Sequence, residues 1–186
     1  GVCAETSSEL FSAFDMPVII RIESMYRVSR NKQMVSQTRH DLAVDLGRWL
    51  QQRNWKIATA ESCTGGGIGY AISAIPGSSA WFAGGFITYS NALKHHLLDV
   101  PNFILAQYGA VSAETAEAMA RGALANSGVD VAIAVTGVAG PDGGTVEKPV
   151  GLVWFGLAWE NHCITWHQLF DGSRTHVRKA TIDEAL

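Results

Sequence analysis

The run VDVAIAVTG, residues 129–137, restricts the fold more than any other stretch of this chain. It is short, almost wholly apolar and rich in β-branched types. That pattern fits a strand in a sheet covered on both faces better than one wetted on one side. Such a sheet needs flanking helices, and the rest of the chain supplies them. Leu42, Leu46, Trp49 and Leu50 recur at helical spacing, with Arg48, Gln51, Gln52 and Arg53 between them, and Asn54 closes the segment. KIATA, residues 56–60, reads as a second buried strand. From Thr64 the pattern turns helical, with Ile68, Ala71, Ile72 and Ile75 on one face until Pro76-Gly77 stops it. WFAGGFITYS, residues 81–90, has strand composition and 91–98 a short helical pattern. Ser112 is a good N-cap for a helix through Asn126, with Glu114 and Glu117 near its start and Ser127-Gly128 at its end. Two further strands, 150–159 and 162–170, are joined only by Glu160-Asn161, which predicts an antiparallel hairpin. A final helix starts after Ser173. Helices alternating with strands, then a hairpin, predict an α/β fold: a three-layer α/β/α sandwich with a mixed sheet of about five strands.

Composition agrees with one folded domain. Of 186 residues, 47% are hydrophobic and 17% charged, enough apolar material for a full core. The net charge of −3 gives no reason to expect a broad nucleic-acid surface. No apolar run approaches the roughly 18 residues of a membrane span, and no basic-then-apolar secretory signal opens the chain. Cys3, Cys63 and Cys163 are few and far apart, with no CxxC pair, so a disulfide framework is not expected and a reducing cytoplasm is. Residues 1–33 have no sustained period and read as an N-terminal extension, poorly ordered or non-native, before a domain at 34–186. The stretch from Arg21 to Arg39 carries five basic residues and one acid, which leaves a basic binding arm as the sharper alternative.

The chemistry concentrates at AESCTGGGIGY, residues 60–70. A glycine-rich strand-to-helix turn suits a phosphate, since free amides at a helix start attract anions. The known phosphate motifs fail, however. There is no Gly-Lys-Ser/Thr, Tyr70 stands where a dinucleotide fingerprint needs its third glycine, and no acid occurs from Ser62 through Leu98. A nucleophile reading fares better. Ser62 faces the helix start, where amides of Gly65 and Gly66 could stabilise an oxyanion. The turn is neither G-x-S-x-G nor S-x-x-K, so the base must lie elsewhere. Lys94 is the one permanently charged side chain between residues 62 and 98. It lies near the start of a helix capped by Ser90 or Asn91, where the dipole disfavours an ammonium and eases its deprotonation. Tyr89 could relay the proton between Lys94 and Ser62. Cys63 is the rival nucleophile, with His95 and His96 as partners. The four-glycine loop TGVAGPDGG, residues 136–144, and PGSS, residues 76–79, offer amides and hydroxyls to a ligand, and Lys148 a possible anion contact. No histidine spacing suits a metal, so neither metal nor cofactor is expected.

The motifs AESCTGG, GSSAWF, GFITYSN with lysine at 94, GAVS, TGVAGPDGG and KPVG, in this order and spacing, resemble the CinA carboxy-terminal family from about Leu42 to the end. Its characterised members are nicotinamide mononucleotide deamidases. The resemblance implies a three-layer sandwich with a mixed five-stranded sheet and a catalytic serine, tyrosine and lysine, here Ser62, Tyr89 and Lys94. It implies hydrolysis of nicotinamide mononucleotide to nicotinate mononucleotide and ammonia in a homodimer, with no cofactor. Thr64, Gly65 and Gly66 become candidates for the oxyanion. Ser78, Ser79, Thr136, Gly137 and Gly140 become candidates for the substrate phosphate, and Asn91 for the substrate more generally. The family usually has a longer final helix than the one ending at Leu186. The runner-up reading is a catalytically silent nucleotide-binding or competence-related partner module.

Overall fold

The computed structural model describes residues 37–186. The expectations for residues 1–33, for the domain start at 34 and for the basic arm as far as its last member lie outside the described residues. That last member, Arg39, is ion-paired to Asp183, with Nε 2.6 Å from a carboxylate oxygen.

Five strands form one sheet in the order β2-β1-β3-β4-β5. They are β1 (Ile57–Glu61), β2 (Phe82–Ile87), β3 (Val131–Gly137), β4 (Leu152–Trp159) and β5 (His162–Leu169). β1 pairs in parallel with β2 on one side and β3 on the other, while β4 and β5 run antiparallel. Among the described residues, six helices cover the two faces: α1 (Arg39–Gln52), α2 (Gly67–Ser73), α3 (Asn91–Leu98), α4 (Asn102–Tyr108), α5 (Ala113–Ser127) and α6 (Arg174–Ala185). Helices α3, α4 and α5 lie on one side, and α1, α2 and α6 on the other. The predicted three-layer sandwich with its mixed sheet and hairpin is the observed fold.

The α5 side is built from small residues. Ala60, Ala132, Ala134 and Ala158 pack there against Met119, Ala120 and Ala123 of α5 and Leu98 and Val100 after α3. Gly156 in β4 allows α5 to come close to the sheet, because a Cβ there would stand 2.5 Å from the Ala116 carbonyl oxygen. Strand alternation then sorts the faces. In β1, Ala58 and Ala60 face α5, leaving Ile57, Thr59 and Glu61 for the α2 side, and Ser62 continues the α5-facing set.

Three details depart from the sequence expectations. Helix α2 starts at Gly67 rather than Thr64, because Gly65 and Gly66 turn left-handed, at φ 59° and 93°. The second strand ends at Ile87, and Thr88–Ser90 become the approach to α3, where the Ser90 hydroxyl accepts the Leu93 amide at 3.2 Å. A cap of this kind contributes about 1 kcal/mol. Helix α4 was not anticipated: it has seven residues, none buried, and no side-chain cap, so neither periodicity nor capping announces it.

Candidate active site

Parallel strands bring their C-terminal ends to one edge of the sheet. β1 continues to β2 on one side and has β3 on the other, so the space beyond the ends of β1 and β3 is a topological switch point, where open α/β sheets bind ligands. A cavity of about 280 Å³ lies there. Ser62 and Cys63 after β1, Thr136 and Gly137 at the end of β3, and Gly140 in the following loop line it, with Tyr89, Lys94 and Arg174.

At its floor Lys94 Nζ is 3.0 Å from Ser62 Oγ. The same nitrogen donates to the Thr88 carbonyl oxygen at 2.8 Å, which fixes the end of the side chain. Lys94 is 1% exposed and Ser62 8%. Burial pushes the Lys94 ammonium down from its ordinary value to about 8, because its surroundings replace water and the opposing pull of the Cys63 sulfur is smaller. A lysine in this state is neutral in about a tenth of molecules at pH 7, far more than an ordinary lysine, and can take a proton from the hydroxyl it touches.

Tyr89 stands differently from the relay expected of it. It is 59% exposed at the cavity rim, and its hydroxyl accepts from Arg174 at 2.8 Å. Lys94 reaches Ser62 without it. Arg174, unpredicted from sequence, is the first residue of α6 and also donates to the Gly140 carbonyl oxygen at 2.8 Å. One signal did mark it. Like Lys94 it is a cation at a helix start, where the dipole opposes it and some other use must retain it.

The turn after Ser62 corrects the oxyanion assignment. Gly65 donates its amide to the Ser62 carbonyl oxygen at 3.1 Å, and Gly66 donates to the Glu61 carboxylate at 3.0 Å, so neither is free for an oxyanion. The Thr64 hydroxyl also goes to Glu61, at 2.7 Å. Among the described residues, the amides of Cys63 and Thr64 bond to no other residue. The Cys63 carbonyl oxygen is held by Arg178 of α6 at 3.1 Å. In a trans peptide the next N–H points the opposite way, so Thr64 N–H is aimed away from Arg178.

The remaining candidates divide. The Thr136 hydroxyl donates to the Ala110 carbonyl oxygen at 2.6 Å, so it lines the wall with its proton already committed. Gly140 has φ 79° and a wall position beside Val150, 2.5 Å from where a Cβ would stand. Ser78 and Ser79 form a 3-10 turn before β2. Because Phe82 is in register with Ile57 at the start of β1, these serines sit at the opposite end of the sheet from Ser62 and do not reach this cavity within one chain. Asn91 is an exposed first residue of α3, outside the cavity lining. Lys148 donates to the Tyr108 carbonyl oxygen and lines no part of it. Among the described residues, Asp142 is the one acidic residue in the lining.

Cys63 is buried, and burial raises its thiol to about 11, which suppresses the thiolate a nucleophile needs. His95 bonds to the Val100 carbonyl oxygen at 2.9 Å, and neither it nor His96 lines the cavity. Replacing Cys63 with alanine is expected to hold kcat within about threefold, since the main-chain amide is kept and only a small apolar group is lost. Complete loss in a folded variant would return the thiol to the mechanism. Among the described residues, no cluster of three or more His, Cys, Asp or Glu side chains is placed to hold a metal ion.

With this geometry in view, residues 39–186 match the profile of the CinA C-terminal domain. The chain belongs to the CinA C-terminal domain family. Family relatives include a protein of Enterobacter agglomerans called nicotinamide-nucleotide amidohydrolase PncC, 54% identical over 140 residues, which are 75% of this chain and 85% of that one. A protein of the same name from Pseudomonas putida is 54% identical over 147 residues, covering 78% and 91% of the two chains. Among solved structures of the family, the competence/damage inducible protein CihA of Agrobacterium tumefaciens superposes with a TM-score of 0.78 at 41% identity, over 82% of this chain and 94% of that one.

Proposed function

We propose that this chain is a nicotinamide-nucleotide amidase that hydrolyses nicotinamide mononucleotide to nicotinate mononucleotide and ammonia through an acyl-enzyme on Ser62. The observation that carries the reading is the direct, buried contact of 3.0 Å between Lys94 Nζ and Ser62 Oγ at the floor of the cavity. The names of the two PncC relatives supply the substrate class.

Neutral Lys94 takes the Ser62 proton as Oγ attacks the carboxamide carbon. The oxyanion is met by the amides of Cys63 and Thr64. Lys94 then returns its proton to the departing nitrogen, which leaves as ammonia. Water enters the acyl-enzyme, gives its proton to Lys94 and releases the carboxylic acid, and Ser62 regains its hydrogen. Lys94 acts directly in this scheme. Tyr89 and Arg174 form a pair at the rim instead, on the side where the nucleotide's ribose phosphate would project.

Arg174 is the phosphate partner in this reading, because among the described residues it is the cavity's only cation besides Lys94. Replacing Arg174 with methionine is expected to raise KM for the nucleotide about 30-fold, while KM for the corresponding nucleoside, which lacks the phosphate, changes little. An equal change for both would remove the phosphate from Arg174. In this reading Asp142, which lines the same cavity, accepts from the ribose hydroxyls.

The test of the function is ammonia release from nicotinamide mononucleotide, with nicotinate mononucleotide identified as the other product. Tight binding of the nucleotide with no release would instead favour the silent-module reading.

A further inference from the structure

Among the described residues two charged side chains are almost fully enclosed, Lys94 and Glu61, each 1% exposed. The mechanism above uses only the first. Glu61 is the last residue of β1 and immediately precedes Ser62. Its carboxylate receives five hydrogen bonds. Oε1 accepts from Gly69 N at 2.8 Å and Thr59 Oγ1 at 3.3 Å. Oε2 accepts from Thr64 Oγ1 at 2.7 Å, Gly66 N at 3.0 Å and Ile68 N at 3.0 Å. Among the described residues the carboxylate forms no ion pair with a lysine or arginine. A buried anion without a cation is costly unless its oxygens are filled, and here the orphan amides at the start of α2 and two hydroxyls fill them.

We propose that Glu61 is the positioning residue of the nucleophile turn. It binds the N-terminus of α2 from inside the protein, through the amides of Gly66, Ile68 and Gly69. The proposal rests on Ser62 being the nucleophile. One oxygen, Oε2, ties together Thr64, Gly66 and Ile68, so the chain can leave β1, reverse through the left-handed Gly65 and Gly66, and enter α2 along one path only. From the far side Arg178 holds the carbonyl oxygens of Cys63 and Thr64, at 3.1 and 3.0 Å. The turn is thus gripped by its N–H groups from within and by its C=O groups from without. That grip fixes Ser62 Oγ against Lys94 and leaves the Thr64 amide aimed away from Arg178.

The arrangement also solves a problem of charge. An acid next to the nucleophile would keep Lys94 protonated if both shared a face of the sheet. Strand alternation sends Ser62 toward α3 and Glu61 toward α2, and burial, not Glu61, is what governs Lys94. A glutamate at this position serves the turn without quenching the base.

The test uses Glu61→Gln in the full chain, with two readouts. Glutamine keeps the size but presents an NH2 group to donors. Amide hydrogen exchange at Gly66, Ile68 and Gly69 is expected to quicken at least about tenfold, since three amides lose an anionic acceptor. With that, kcat is expected to fall about 100-fold while KM stays within about threefold, because misplacing the nucleophile affects the transition state more than binding. Unchanged exchange, or faster exchange with a wild-type kcat, overturns the proposal. Should Glu61→Gln not fold, Thr64→Val removes one of the five bonds with nearly the same shape, and a drop in kcat of about tenfold against none decides the matter. Should the wild type release no ammonia from the nucleotide, the amidase reading fails, and exchange alone judges Glu61.

Discussion

Replacing Ser62 with alanine is expected to lower kcat for ammonia release by at least about 10⁴-fold, the scale on which a nucleophile acting with its base is lost. The fold should survive. The change deletes one oxygen from a contact in which Lys94 keeps its second partner, Thr88, so the melting temperature should move by no more than about 4 °C. Binding of the nucleotide should persist, because Arg174, the proposed phosphate partner, is untouched. The neighbouring thiol cannot take over. With Cys63 raised to about 11, only about one molecule in ten thousand carries the thiolate at pH 7. Ammonia release by the alanine variant at the wild-type rate would therefore remove both Ser62 and the acyl-enzyme from the mechanism.

The fold was legible because its signals are local. Buried strands, helical spacing, caps and a two-residue hairpin link each announce themselves over a few residues. The pair at the cavity floor was legible for another reason. Lys94 is the sole permanent charge across the stretch from 62 to 98, and charge placed so sparingly is conspicuous. What escaped depends on direction or on distance along the chain. Gly65 and Gly66 looked like donors for an oxyanion because nothing in sequence says that the Glu61 side chain points back under the turn. Strand alternation contains that information, but only once β1 is known to run through Glu61. Arg174 meets Tyr89 across a separation of 85 residues, which no local pattern can report. Ser78 and Ser79 have the right chemical type for a phosphate contact. Parallel register shows why type was not enough: the residues before β2 lie beside the start of β1, not its end.

Replacing Lys94 with methionine, which keeps the length and loses the amine, is expected to reduce kcat/KM by about 10²- to 10⁴-fold, the range over which a positioned base contributes. The size of the loss should depend on pH in a defined direction. Since burial lowers Lys94 to about 8, about a tenth of wild-type molecules hold the neutral amine at pH 7 and nearly all do above pH 9. Wild-type kcat/KM should rise about tenfold across that interval and then level, whereas the methionine variant, with no amine to titrate, should stay flat. The ratio of the two is then largest at alkaline pH. Stability follows the same group with its own sign. An ammonium whose folded pKa lies below its unfolded value of 10.5 opposes folding below pH 8. Between pH 8 and 10.5 the unfolded chain binds the extra proton, so wild-type stability should gain on the variant as pH rises through that window. A base that is both buried and essential should show the two effects together, activity and relative stability climbing as the proton leaves. A flat wild-type profile, or a methionine variant whose rate climbs in parallel with it, would move the base to another residue.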